Sequence, residues 1–140
     1  SPFDVQMNVA LDGYELTGTI TVTAAADVRN LGFKYYIAVT HDDSQYTAPN
    51  GQTVFHQTFI DFLNSETTSE GIISWGESLN LDAGETKTTN IDWTLNNSWP
   101  NDSGVTWSPS DLNILAFVQF DGGGENDKKI FQVEEIDFGS

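Results

Sequence analysis

A strict period of two is the feature that most restricts how this chain can fold. In Leu16-Thr17-Gly18-Thr19-Ile20-Thr21-Val22-Thr23, aliphatic residues and one glycine alternate with threonine. Successive side chains of a strand point to opposite faces, so this segment buries one face and wets the other only as a strand. Phe3, Val5, Met7 and Val9 alternate in the same way with Asp4, Gln6 and Asn8. Asp12-Gly13 between the two segments is a short-range turn signal and predicts a hairpin.

The rest of the chain extends the pattern. Residues 31–40 place Leu31, Phe33, Tyr35, Ile37 and Val39 on one face of a central strand. Residues 53–63 carry Phe55, Phe59, Phe62 and Leu63 at helical spacing, yet their aromatic and β-branched content assigns a strand. Leu81-Asp82-Ala83-Gly84-Glu85 reads as a turn, followed by a strand with Ile91, Trp93 and Leu95 facing the core. Residues 112–120 are almost continuously apolar and predict a strand covered on both faces. A Gly-rich turn over 121–127 then leads to a last strand with Ile130, Phe131, Val133 and Ile136 as packing residues. The economical architecture is a single all-β domain over 1–140. It is a two-layer antiparallel β-sandwich, immunoglobulin-like, of about seven to eight strands. An open Greek-key barrel is the alternative.

Charge narrows the function classes. Twenty-one acidic residues against five lysines and arginines give a net charge of −16, a field that repels nucleic-acid phosphates and anionic lipid. Nucleic acid is excluded as a partner. The chain has no cysteine, so neither disulfides nor thiolate sites contribute. Its apolar runs, such as residues 114–118, are far shorter than the ~20 residues that span a bilayer, which argues against membrane insertion. The chain opens at Ser1-Pro2-Phe3 without a signal peptide. The expectation is a module excised from a longer secreted or surface protein, extracellular, cell-surface or periplasmic in location, with other domains of the parent chain as neighbours.

Motifs for chemistry are sparse. His41 and His56 stand in no metal-binding spacing, and there is no nucleophile elbow, phosphate loop or dinucleotide fingerprint. Gly122-Gly123-Gly124 reads as a turn that needs positive φ. With so many acids, carboxylate pairs at a glycosidase separation arise by chance, so a small glycan-active hydrolase ranks last and no catalytic residue is assigned. Asp121, Glu125, Asn126 and Asp127 gather hard oxygen ligands in one loop and form a candidate calcium site, although their spacing differs from an EF-hand loop. Asp42 and Asp43 form a weaker cluster of the same kind. Otherwise no cofactor is required.

The sharpest hint is aromatic. Trp99 and Trp107 lie in a polar segment over 96–110, where a large exposed ring is costly unless it packs or binds. Either both indoles fold back to cap the core, the commoner fate in sandwiches, or they stack on sugar rings. In the second case Tyr46 and Trp75 extend the platform, and Asn97, Asn101 and Asp102 orient hydroxyls.

The last two strands, Leu112-Asn113-Ile114-Leu115-Ala116-Phe117-Val118-Gln119 and Lys128-Lys129-Ile130-Phe131-Gln132, resemble a recurring ending. It is that of the C-terminal β-sandwich domain of the twenty-eight-kilodalton outer-membrane lipoprotein family of Gram-negative surface proteins. Residues 16–22, Val54-Phe55-His56-Gln57-Thr58-Phe59 and the turn over 81–85 follow in the same order. The resemblance implies an adhesin-like periplasmic or cell-surface accessory domain with no catalytic residues. The sequence as a whole therefore predicts a non-catalytic module for binding or spacing, with a polysaccharide or a surface protein as partner. A carbohydrate-binding module using loop tryptophans is the alternative.

Overall fold

The computed structural model is an all-β sandwich. It describes residues 2–42, 46–47, 53–54, 57–96, 108–126 and 128–138, with the side chains of 42, 46, 47, 53, 54, 57–59, 126 and 137 outside the description. Among the described residues twelve strands follow in order: β1 (Phe3–Asp12), β2 (Glu15–Ala24), β3 (Phe33–Asp42), β4 (Tyr46–Thr47), β5 (Thr53–Val54), β6 (Gln57–Phe62), β7 (Ser65–Thr67), β8 (Ile73–Trp75), β9 (Glu77–Ser78), β10 (Thr86–Thr94), β11 (Leu112–Phe120) and β12 (Ile130–Asp137). Seven of these have six residues or more, which are the strands the alternation foretells.

Three strands form one layer in the order β1-β2-β10, and the other layer runs β12-β11-β3-β6, with β9 also paired to β3. All of these pairings are antiparallel. No described sheet closes on itself, so the sandwich stands and the barrel does not. The two layers enclose a single core drawn from both, including Val5, Leu16, Ile20, Val22, Tyr35, Ile37, Val39, Ile91, Ile114 and Val118. At one end Phe33 meets Phe3, Phe120 and Phe131 edge-on at centroid distances of 5.0, 5.4 and 5.2 Å. Such T-shaped contacts suit the ring quadrupole and close that end of the core.

The β1–β2 hairpin forms as expected, with Asp12 opposite Glu15 and Phe3 opposite Ala24, so that its turn is Gly13-Tyr14 and Asp12 belongs to the strand. It also requires its glycine. Gly18 has φ +149, and a Cβ there would stand 2.0 Å from the Asn8 carbonyl oxygen, so strand approach and backbone conformation both exclude a side chain.

Other expectations need correction. Leu31 precedes the strand and is exposed, because β3 begins at Phe33. Ile130 and Val133 are exposed rather than packed. In the continuous register over 132–137 Val133 stands opposite Phe117 on the outer side by simple alternation, and the shift between Val118 and Gln119 turns Ile130 to the same side, opposite Gln119. Trp93 is only partly buried against the core, and its indole N–H donates to Asp61 Oδ2 at 3.3 Å. In β11, Leu112, Ile114, Ala116 and Val118 are buried, but outer Leu115 and Phe117 are half-buried, so that face is covered less than its apolar run implies.

Candidate functional site

The outer face of the five-stranded sheet is where the chain departs from simple alternation. Strand β3 carries Phe33, Tyr35, Ile37 and Val39 inward and Lys34, Tyr36, Ala38 and Thr40 outward; β11 places Phe117 directly opposite Tyr36, and β6 places Phe62 opposite Ala38. Aromatic side chains thus meet on the solvent side of the sheet. Phe117 stacks on Tyr36 at 5.2 Å and an interplanar angle of 18°, Tyr36 lies 5.7 Å from Phe62, and Phe62 lies 6.1 Å from Trp75. Offset stacking and tilted contacts at these distances are favourable ring geometries. Tyr36, Phe62 and Phe117 are half-buried, whereas Trp75 is 51% exposed. The row therefore has one open end.

Trp75 is held there by several elements. It closes the β7–β8 hairpin opposite Ser65, with Ile73 opposite Thr67 two residues away on the same side. The Lys34 ammonium reaches across from β3, donating to the Ser74 hydroxyl and the Trp75 carbonyl, each at 3.1 Å. It also pairs with Glu66 at 3.5 Å. Glu66 in turn accepts from the Ser78 N–H at 3.0 Å and the Ser78 hydroxyl at 2.8 Å. Burial pushes the Glu66 carboxyl up, but the two Ser78 donors and Lys34 outweigh it and hold the group below its usual range.

Next to the tryptophan, Gly76 has φ +79, and a Cβ would lie 2.6 Å from Cε1 of the Tyr36 ring. Only glycine lets the backbone lie against that ring. Asn64 completes the support. Buried in the gap between β6 and β9, it accepts the Ile37 N–H at 2.9 Å and donates to the Tyr35 carbonyl at 3.1 Å, and its own carbonyl accepts the Gly76 N–H at 3.0 Å. A side-chain amide thus replaces a missing stretch of ladder.

Beyond Tyr36 the face becomes polar. The Tyr36 hydroxyl donates to Asp121 Oδ2 at 2.8 Å, and the Lys128 ammonium donates to Asp121 Oδ1 at 2.9 Å. Burial, and then the Asp121 carboxylate, raise the Tyr36 phenol well above its ordinary value. A surface depression of about 370 Å³ adjoins it, bounded by Asn30, Lys34, Ser78, Asn80 and Asp121 among others.

Of the residues singled out from sequence, Trp75 joins this face. Trp99, Trp107, Asn97, Asn101, Asp102 and Asp127 lie outside the described residues, as do Asp43 and His56. Tyr46 enters β4 opposite Val54, but its side chain is not described. Of the proposed calcium ligands, Asp121 has both carboxylate oxygens engaged by Tyr36 and Lys128, Glu125 is exposed, and the Asn126 side chain is not described. Among the described residues no group of three or more His, Asp or Glu converges as a cation site. His41 is buried, and its Nε2 accepts the Ser108 N–H at 3.0 Å. The sequence marks none of Tyr36, Phe62 and Phe117 as a site residue; Phe62 stands there only within the 53–63 strand and Phe117 only within an apolar run expected to be covered on both faces. The available signal was the loss of alternation in 33–42 and 112–120, where both faces of each strand are apolar or aromatic.

No family model matches the chain, and no curated protein matches it. Among solved structures it is similar to the sporulation control protein Spo0M of Bacillus subtilis, at a TM-score of 0.49 and 14% identity over 97% of this chain and 47% of that one. It is also similar to a β-glucosidase of Listeria innocua in complex with gluconolactone (TM-score 0.45, 18% identity, 96% of this chain and 15% of that one). A third is β-glucosidase 3B of Thermotoga neapolitana in complex with α-D-glucose (TM-score 0.40, 14% identity, 99% and 16%). The chain spans about half of the first of these proteins and about one-sixth of each glucosidase.

Proposed function

We propose that this chain is a non-catalytic binding module of a larger extracellular, periplasmic or cell-surface protein, and that it works through the outer face of its five-stranded sheet. The observation that carries the reading is Trp75, a half-exposed indole at the open end of an aromatic row. Leaving such a ring in water sacrifices the stabilisation its burial would bring. The neighbouring backbone is nonetheless fixed by Lys34, Asn64 and Gly76 in a way that keeps the ring outside. A surface spends that much local order where a ligand later covers it. The carboxylates beside the row, Glu66 and Asp121, are tied to Ser78, Lys34, Tyr36 and Lys128, which suits positioning better than proton transfer. The acidic surface and the resemblance of the last hairpin support an accessory role outside the cytoplasm.

The test is solvent access at Trp75. In the 140-residue chain, Trp75→Phe should remove one acrylamide-quenchable component of the tryptophan emission while leaving the melting temperature within about 2 °C, as expected for a surface change. Quenching that is unchanged by the substitution would overturn the reading.

A further inference from the structure

We infer that the ligand of this face is an uncharged polysaccharide, with Trp75 as the stacking ring; the inference rests on the binding role proposed above and names its substrate class. Three features converge. The exposed Trp75 indole offers a flat apolar face with a negative quadrupole, which attracts the slightly positive axial C–H bonds of a pyranose ring. Ser65 and Thr67, both exposed, stand across the β7–β8 pair from Trp75 and Ile73, and so place hydroxyls beside that face. The depression bounded by Asn30, Phe33, Ser78, Asn80 and Asp121 among others lies past Tyr36, where a chain running along the row meets the exposed Asn30 and Asn80 amides. A ligand that offers C–H faces to rings and hydroxyls to such groups is a sugar polymer.

Charge selects within that class. The nearby cations are committed, Lys34 to Glu66 at 3.5 Å and Lys128 to Asp121 at 2.9 Å. With a net charge of −16 on the chain, the long-range field opposes uronate or sulfated polymers most strongly at low salt.

Titration of the 140-residue chain with soluble β-glucan, xylan and mannan, with polygalacturonate alongside, tests this by fluorescence and affinity electrophoresis. At least one neutral polymer should bind saturably, and Trp75→Ala should weaken it by up to about tenfold, the scale of one good ring contact, while Trp75→Tyr restores most of it. Polygalacturonate binding equal to that of the neutral polymers at low ionic strength would overturn the proposed selection. Neutral binding unaffected by Trp75→Ala would overturn the site. If no polysaccharide binds but an apolar peptide does so in a Trp75-dependent way, the sugar assignment falls and the binding face survives. If Trp75 also proves inaccessible to quencher, both fall.

Discussion

The two outer faces of this sandwich are built on the same backbone geometry and end up with opposite characters. On the three-stranded sheet, β2 displays Thr17, Thr19, Thr21 and Thr23; β10 answers with Asp92, Asn90, Thr88 and Thr86, and β1 with Ala10, Asn8, Gln6 and Asp4. Its hydroxyls satisfy one another, with Thr23 and Thr86 at 3.0 Å and Thr21 and Thr88 at 3.5 Å. On the five-stranded sheet the equivalent positions hold Tyr36, Phe62 and Phe117 in ring contact, with Val133 exposed at the edge. Threonine and aromatic residues both favour strands. The difference is therefore not one of propensity. A threonine face is complete in water, whereas a ring face gains by being covered.

The largest effect of that contrast comes from removing a ring. Phe117→Ala should cost about 2 kcal/mol, roughly half the penalty of a fully buried phenylalanine, because the ring is half-buried and loses its stack on Tyr36. Thr21→Ala, at the matching place on the other sheet, should stay within about 0.5 kcal/mol, since its hydroxyl contact is long and exposed. Urea unfolding of both variants makes the comparison directly. Equal costs would mean that the rings are as well hydrated as the threonines and that the face has no special standing.

Which of these features the sequence makes legible follows from how each is encoded. The threonine face is written in one place, because every second residue of 16–23 is threonine and the hairpin partner is next in the chain. The inner face is equally plain, and most of the residues predicted for it are buried. The aromatic face is assembled from β3, β6, β8 and β11, segments far apart in sequence, so no local period announces it. In the sequence Trp75 is a tryptophan between Ser74 and Gly76 that only the sugar-stacking reading draws in. Its environment depends on the left-handed Gly76 and on Asn64 filling a ladder gap, both of which are tertiary facts. Ile130 is exposed for a related reason, because the shift at Val118 and Gln119 cannot be seen from alternation in either strand alone, whereas the outward side of Val133 follows from alternation with Ile136.

Alkali should separate the faces next. The Tyr36 phenol is raised, by burial first and then by Asp121, and Tyr35 in the core is raised by burial and by Glu77. A group whose folded value lies above its unfolded one adds stability that is complete below the unfolded value, near 10 for tyrosine, and is lost as pH rises beyond it. The threonine face carries no group that titrates there. Melting temperature should hold steady up to about pH 10 and decline above it. Tyr36→Phe should cost about 1.5 kcal/mol at neutral pH through the lost bond to Asp121, and should flatten part of the alkaline decline. A variant with an unchanged alkaline slope would place that loss in the core alone.

The smallest effect concerns the hairpin that presents Trp75. Glu66 links Lys34 to Ser78 beneath it, and its carboxyl is held low despite burial. A folded value below the unfolded one gives stability that is present above the unfolded carboxylate range and lost as pH falls through the folded value. The pair is partly exposed, with side-chain accessibilities of 16% for Lys34 and 34% for Glu66, so solvent screening limits it to about 0.5 kcal/mol. Glu66→Gln should therefore barely move the global melting temperature. It keeps an acceptor for Ser78 but not the ion pair with Lys34, so the hairpin should loosen locally and Trp75 emission should become more quenchable at pH 7. In the unsubstituted chain the same change should appear only on acidification below the carboxylate range. Emission that is identical in the two proteins across that range would show that Asn64 and Gly76 hold the indole without help from charge, and the aromatic face would then be as insensitive to acid as the threonine face.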